Sequence, residues 1–263
     1  MLSRSFLAML LAAAPLSALD IVAHRGFSVR APENTVAAFK LAWQSGADAC
    51  ELDLHLTGDG GIAVLHDKDT KRTTGKALVV AATPLAELRR LDAGSWKASD
   101  YAGEPIPDLA ESLATLPVDR GSFLLEIKCG PEVVPELARQ LASWKSRARQ
   151  LRIIAFDRAA AREAKKALPW IKVYRLSSEQ TRDKKPVELD ALIADSVADG
   201  LDGLDLSQKW AWNEAFVRRV RSAGLEVHVW TVNKPGDVRR LAALGVDSIT
   251  TDDPVMARQA LGR

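Results

Sequence analysis

Cysteine is almost absent from this chain of 263 residues: Cys50 and Cys129 are the only two, which limits the protein to one disulfide. Each has the opposite strand parity to a charged neighbour, Glu51 or Lys128, so both are expected as buried free thiols packed under helices. An excess of one charge sign is also missing. With 36 basic and 34 acidic side chains the net charge is +2, which argues against a polyanion-binding surface and therefore against nucleic acid as a partner. No low-complexity tract interrupts a chain that is 47% hydrophobic, so a disordered linker is excluded and one domain is expected. Neither Gly-x-Gly-x-x-Gly nor Gly-Lys-Ser/Thr follows any strand candidate, which weakens a nucleotide-binding reading.

The first eighteen residues differ in kind from the rest. Arg4 precedes an apolar run from Phe6 to Ala14, and Pro15-Leu-Ser-Ala18 leads into a strand-like segment. This pattern reads as a secretory signal peptide over 1–18, with a mature domain over 19–263 that is exported, periplasmic or secreted. The run is too short to span a bilayer and no cysteine near Ala18 offers a lipid attachment point, so no stable membrane anchor is expected.

What is present concentrates between Glu51 and Asp67. Leu52, Leu54 and Leu56 alternate with Glu51, Asp53 and His55, so the two carboxylates share one face of a strand. Asp59-Gly60 is a hairpin dipeptide, and folding about it sets Leu54 opposite Leu65 and Asp53 opposite His66. A threonine-rich segment, a short helix near Pro84–Leu91 and a Gly/Trp/Pro-bearing loop follow, so that about 54–107 reads as an excursion over the strand ends. Elsewhere strands and helices alternate. Parallel strands are expected to begin at Asp20, Ala49, Ser122, Arg152, Lys172, Gly203, Glu226 and Ser248, with helices between them. The first helix, Thr35–Ser45, has Asn34 as its expected N-cap and Gly46 as its terminator. Eight such units in one domain favour a closed TIM (β/α)8-like barrel with a small insertion after strand 2.

Catalytic residues of such barrels sit at the C-terminal strand ends, where His24, Glu51, Asp53, Glu126, Lys128 and Trp230 all fall. Three carboxylates without cysteine or histidine ligands select one hard divalent cation, Mg²⁺ or Ca²⁺, with Mn²⁺ also suited. Arg25 and Lys128 beside that cation suit a pair of phosphate oxygens, and a small-molecule phosphodiester is the natural ligand. His55 is expected at the surface or against a loop, His228 in interior packing, and Trp230 in the pocket wall.

His24-Arg25-Gly26, Pro32-Glu33-Asn34-Thr35, Gly46-Ala-Asp48, Glu51-x-Asp53, Asp59-Gly60, His66-Asp67, Arg72-Thr-Thr74, Glu126-Ile-Lys128 and Trp230-Thr-Val-Asn233, in this order, resemble the glycerophosphodiester phosphodiesterase family. The resemblance covers nearly all of the chain after residue 20. It implies a TIM-like barrel with a small insertion and metal-dependent hydrolysis of glycerophosphodiesters to sn-glycerol 3-phosphate and an alcohol. It further implies that Glu51, Asp53 and Glu126 hold the metal, that His24 and His66 form the acid/base pair, and that Arg25 and Lys128 contact phosphate. Two positions depart from the family pattern: Ala155 replaces the usual Ser before Phe156, and Thr70 replaces an apolar residue after His66-Asp67. A lysophospholipase D-like enzyme and a non-catalytic periplasmic phosphodiester-binding protein are the alternatives.

Overall fold

The computed structural model describes residues 19–263, so the proposed signal peptide lies outside the described residues. Nine strands form one sheet that closes through β1–β2 pairing, and eight of them are parallel. In chain order the elements are β1 Asp20–Ala23, α1 Val36–Gln44, β2 Ala49–Leu56, β3 Ile62–Val64, α2 Lys71–Thr74, α3 Leu85–Leu88, α4 Leu109–Leu113, β4 Ser122–Ile127, α5 Val134–Leu141 and β5 Leu151–Ala155. They continue as α6 Arg158–Ala167, β6 Lys172–Ser177, α7 Leu189–Ala198, β7 Gly203–Ser207, α8 Glu214–Ser222, β8 Glu226–Trp230, α9 Pro235–Ala243, β9 Ser248–Thr251 and α10 Pro254–Ala260. The closed parallel barrel expected from the alternation is therefore present, and only β3 is antiparallel.

Strand parity divides the core in two. Outward side chains such as Cys50, Leu52, Phe123, Leu125 and Ile153 pack under the helices, where Phe39 and Trp43 of α1 each meet the Phe123 ring edge-on at 5.3 Å. Inward side chains Val22, Ala49, Leu124, Ile154, Tyr174 and Leu176 fill the barrel below the strand ends. His228 belongs to this interior layer: it stacks on Tyr174 with ring centroids 4.2 Å apart and shares a hydrogen bond with the Ser248 hydroxyl. Both cysteines are free; Cys50 is buried as expected, whereas Cys129 is only half-buried because it follows the end of β4.

Two local expectations are corrected. The hairpin pairs Leu54 with Val64 and Leu56 with Ile62, one residue away from the expected register. The cause is a three-residue loop: Thr57 bonds across to Gly61, and Gly58, Asp59 and Gly60 make the turn with Gly60 at φ 83°. The second correction is at α1, where the Thr35 hydroxyl accepts the capping bond from the Ala38 amide and Asn34 does something else. Gly46 does close the helix, at φ 82°. The excursion after β2 has a small core of its own, built from Ala63, Leu65, Val80, Leu88, Leu91, Ala93 and Ile106.

Candidate active site

The three carboxylates form a cradle at the strand ends. Glu51, Asp53 and Glu126 are buried, and each offers an oxygen within 4.8 Å of the other two. β2 and β4 run side by side with Asp53 level with Glu126, which is how two distant segments deliver these groups to one place. Burial, together with the Asp53 and Glu126 charges, pushes Glu51 well above the carboxylate range, and burial with the Asp53 charge pushes Glu126 up to about 7. Asp53 moves the other way: burial opposes it, but Arg25 and Lys128 hold it below its usual value. Glu51 Oε1 and Asp53 Oδ1 are buried and accept no hydrogen bond. Buried carboxyl oxygens without a hydrogen-bond donor, in a group that can bring one oxygen each within 4.8 Å of the others, fit a hard oxygen-seeking divalent cation.

Fixed cations and an amide tie the cradle down. The Arg25 guanidinium lies 3.2 Å from Asp53 Oδ2 and 2.8 Å from Glu33, while its backbone N–H donates to Glu51 Oε2 at 2.8 Å. Lys128 Nζ sits 2.7 Å from Glu126 and 3.4 Å from Asp53. Asn34, at φ 59°, grips Asp53 twice: its side-chain N–H donates to Oδ2 at 2.7 Å, and its oxygen accepts from the Asp53 amide at 3.1 Å. Gly26 lets this turn approach α1, since a β-carbon there would stand 2.7 Å from the Ala38 backbone.

Two histidines line a chamber beside the cradle, each held by a carboxylate. His24 Nδ1 is 2.6 Å from Asp252 Oδ1, and Asn233 fixes Asp252 by accepting from its amide at 2.9 Å. His66 Nδ1 is 2.7 Å from Asp67, which Arg72 in turn holds at 2.7 Å while bridging to Glu33 at 2.8 Å. Burial opposes the ionised form of Asp67, yet hydrogen bonds from Arg72 and His66 bring it down to about 2. Burial also pushes the His66 imidazole below its ordinary value, against the attraction of Asp53. An acceptor at Nδ1 leaves Nε2 of each ring for chemistry.

Two cavities that share lining residues open here. The chamber, of about 120 Å³, is lined by His24, Arg25, Glu51, His66, Glu126, Lys128 and Trp230, among others. His66, Lys128, Phe156 and Leu176 also line a wider groove of about 780 Å³ that runs to the segment between β6 and α7. Phe156 and Trp230 meet edge to face at 5.5 Å between centroids and form an aromatic wall.

All eight residues singled out from the sequence, His24, Arg25, Glu51, Asp53, His66, Glu126, Lys128 and Trp230, thus lie at one end of the barrel. His66 arrives there despite the shifted hairpin, because β3 ends at Val64 and the chain leaves the ladder before it. His55 is buried and shares a hydrogen bond with the His66 carbonyl at 3.1 Å, the loop contact rather than the surface position. The two departures from the family pattern stay clear of both cavities: Ala155 packs in the outer core, and the buried Thr70 hydroxyl donates to the Lys76 carbonyl. Sequence reasoning missed Asp252, Asp205 and Thr250. The signal available was position for two of them, since Thr250 falls in the last two residues of β9 and Asp252 follows its end; Asp205, in the middle of β7, carried only its inward strand parity.

Residues 24–256 match the model of the Glycerophosphoryl diester phosphodiesterase family. A glycerophosphodiester phosphodiesterase of Caldanaerobacter subterraneus subsp. tengcongensis is 33% identical over 240 residues, spanning 89% of this chain and 94% of its own. A Bacillus subtilis glycerophosphodiester phosphodiesterase is 32% identical over 251 residues, spanning 89% of this chain and 83% of its own. Among solved structures, an Oleispira antarctica phosphodiesterase in complex with the product sn-glycerol-3-phosphate superposes with a TM-score of 0.82 at 30% identity, covering 93% of this chain and 97% of that one. The barrel, its carboxylate cradle and these similarities agree, and the chain belongs to the glycerophosphoryl diester phosphodiesterase family.

Proposed function

We propose that the protein hydrolyses glycerophosphodiesters to sn-glycerol 3-phosphate and an alcohol, with His24 and His66 as the acid/base pair. The observation that carries this reading is the pair of carboxylate-held imidazoles lining one chamber with the buried carboxylate cradle. Glu51, Asp53 and Glu126 would hold one divalent cation, Mg²⁺ or Ca²⁺, which when bound offsets charge on the non-bridging phosphate oxygens. Arg25 and Lys128 bind the same phosphate, and their ion pairs with the cradle orient them before substrate arrives.

In-line displacement at phosphorus places the incoming and departing oxygens on opposite sides, so one imidazole accepts a proton while the other donates one. His66 borders the wide groove, where an alcohol of variable size leaves, so it protonates the departing oxygen. His24 borders only the small chamber and takes the proton of the nucleophile. Trp230 and Phe156 form an aromatic wall of the chamber in which this exchange takes place.

A binding protein would need the cations but neither histidine–carboxylate pair. The segment Ala77–Ala82, whose Val79 is 58% exposed, lines neither cavity, so nothing there favours a lyso-lipid substrate. We also propose export with removal of 1–18; the basic-then-apolar sequence supports it, and N-terminal sequencing of the secreted chain tests it. The activity is tested by glycerol 3-phosphate release from glycerophosphocholine with Mg²⁺, Ca²⁺ or chelator. Release that stops with chelator supports the reading, whereas tight binding without release under every condition overturns it.

A further inference from the structure

One ionisable group of the chamber has no role in the scheme above. Asp205, on β7, is 1% exposed and lines the chamber, yet its Oδ1 accepts no hydrogen bond. It does not belong to the cation cradle, whose three members are Glu51, Asp53 and Glu126. The basic groups that line the same chamber are engaged elsewhere: His24 with Asp252, Arg25 with Glu33, and Lys128 with Glu126. A second orphan stands in the same chamber, because the buried Thr250 hydroxyl of β9 also lacks a partner.

Native interiors rarely leave a carboxyl and a hydroxyl unpaired unless a ligand or water completes them. The complementary ligand must donate to a carboxyl oxygen and also bond a hydroxyl. A quaternary ammonium has no N–H and can do neither, whereas neighbouring alcohol groups do both. Size points the same way. The chamber holds about 120 Å³ against about 780 Å³ for the groove, so the small constant end of the substrate belongs in the chamber and the variable alcohol in the groove. We propose that Asp205 and Thr250 form the subsite for the glycerol diol, Asp205 accepting from one free hydroxyl and Thr250 bonding the other. The inference rests on the proposed hydrolysis of glycerophosphodiesters and assigns the residues that select the glycerol end.

Equilibrium binding tests it independently of turnover. Calorimetric titration of the full chain with Mg²⁺ present would compare sn-glycerol 3-phosphate with n-propyl phosphate, which lacks both hydroxyls. The wild type is expected to bind the glycerol ester ~10- to 100-fold more tightly. Asp205→Leu should bring that ratio close to one while leaving n-propyl phosphate affinity unchanged. Thr250→Val should narrow it ~3- to 10-fold, and Asp205→Asn, which keeps an acceptor oxygen, should retain most of it. If Asp205→Leu does not fold, the two isosteric variants and the wild-type ratio decide the matter. A wild-type ratio within threefold of one overturns the proposal, as does equal weakening of both ligands in the variants. A ratio that survives in Asp205→Leu or in Thr250→Val also overturns it. Failure of the wild type to bind either ester would instead count against the proposed function itself.

Discussion

Replacing Asp252 by Asn probes how His24 is held. Asp252 Oδ1 stands 2.6 Å from His24 Nδ1, and the carboxylate is kept in place by Asn233 and by the Ser28 hydroxyl at 3.3 Å. Burial opposes its charge, yet the His24 hydrogen bond holds Asp252 below the usual carboxylate range. A hydrogen bond to a charged partner contributes about 1.5–3 kcal/mol, and each 1.36 kcal/mol of barrier is tenfold in rate, so Asp252→Asn should lower kcat by roughly 10- to 150-fold. Asp252 does not line the chamber, so KM should stay within about threefold. With its side chain 36% exposed, global stability should change by less than about 1 kcal/mol. The assay is steady-state glycerol 3-phosphate release, combined with His24→Ala in a double-mutant cycle. Because Asp252 acts through His24, the substitution should add almost nothing once His24 is gone. Full activity in Asp252→Asn, or losses that multiply in the double variant, would refute the reasoning.

Other consequences follow from the same contacts. Asn34→Ala leaves both the Asp53 amide and Oδ2 without their buried partner, and should cost about 2–4 kcal/mol in urea unfolding while weakening Mn²⁺ binding ~10-fold or more by calorimetry. Gly26→Ala forces a β-carbon to 2.7 Å from the Ala38 backbone at φ 79°, so thermal unfolding should show a loss of about 2 kcal/mol or more, with activity falling because Arg25 moves. The depressed Asp67 carboxyl contributes stability that is complete above the unfolded carboxylate value of about 3.9 and is lost as pH falls through about 2. Urea titrations of wild type and Asp67→Asn should therefore differ at neutral pH and converge in acid; a difference independent of pH would contradict the assignment.

Much of the architecture was legible because a parallel barrel repeats one physical signal, an apolar strand followed by a capped amphipathic helix. The carboxylate cradle was equally legible: Glu51 and Asp53 share strand parity, and Glu126 falls level with Asp53 once β2 and β4 pair. The hairpin register was not, since Asp59-Gly60 also serves in a three-residue loop, where Gly58 adds one position and shifts every cross-strand pair. Asn34 was misplaced for a related reason: Asn and the following Thr both cap helices, and only the fold brings Asp53 beside one of them. Asp252, Asp205 and Thr250 escaped because barrel closure, not sequence proximity, places them beside His24 and Glu126.

The central claim is that the two histidines serve opposite sides of phosphorus, and leaving-group dependence tests it most directly. Wild type, His24→Ala and His66→Ala would be compared on glycerophosphocholine and on a glycerol phosphodiester of p-nitrophenol, whose departing oxygen needs no proton. If His66 is the acid, His66→Ala should recover most of its lost rate on the p-nitrophenyl ester while His24→Ala stays impaired on both substrates. Equal losses on both substrates in both variants, or recovery by His24→Ala instead, would contradict the account.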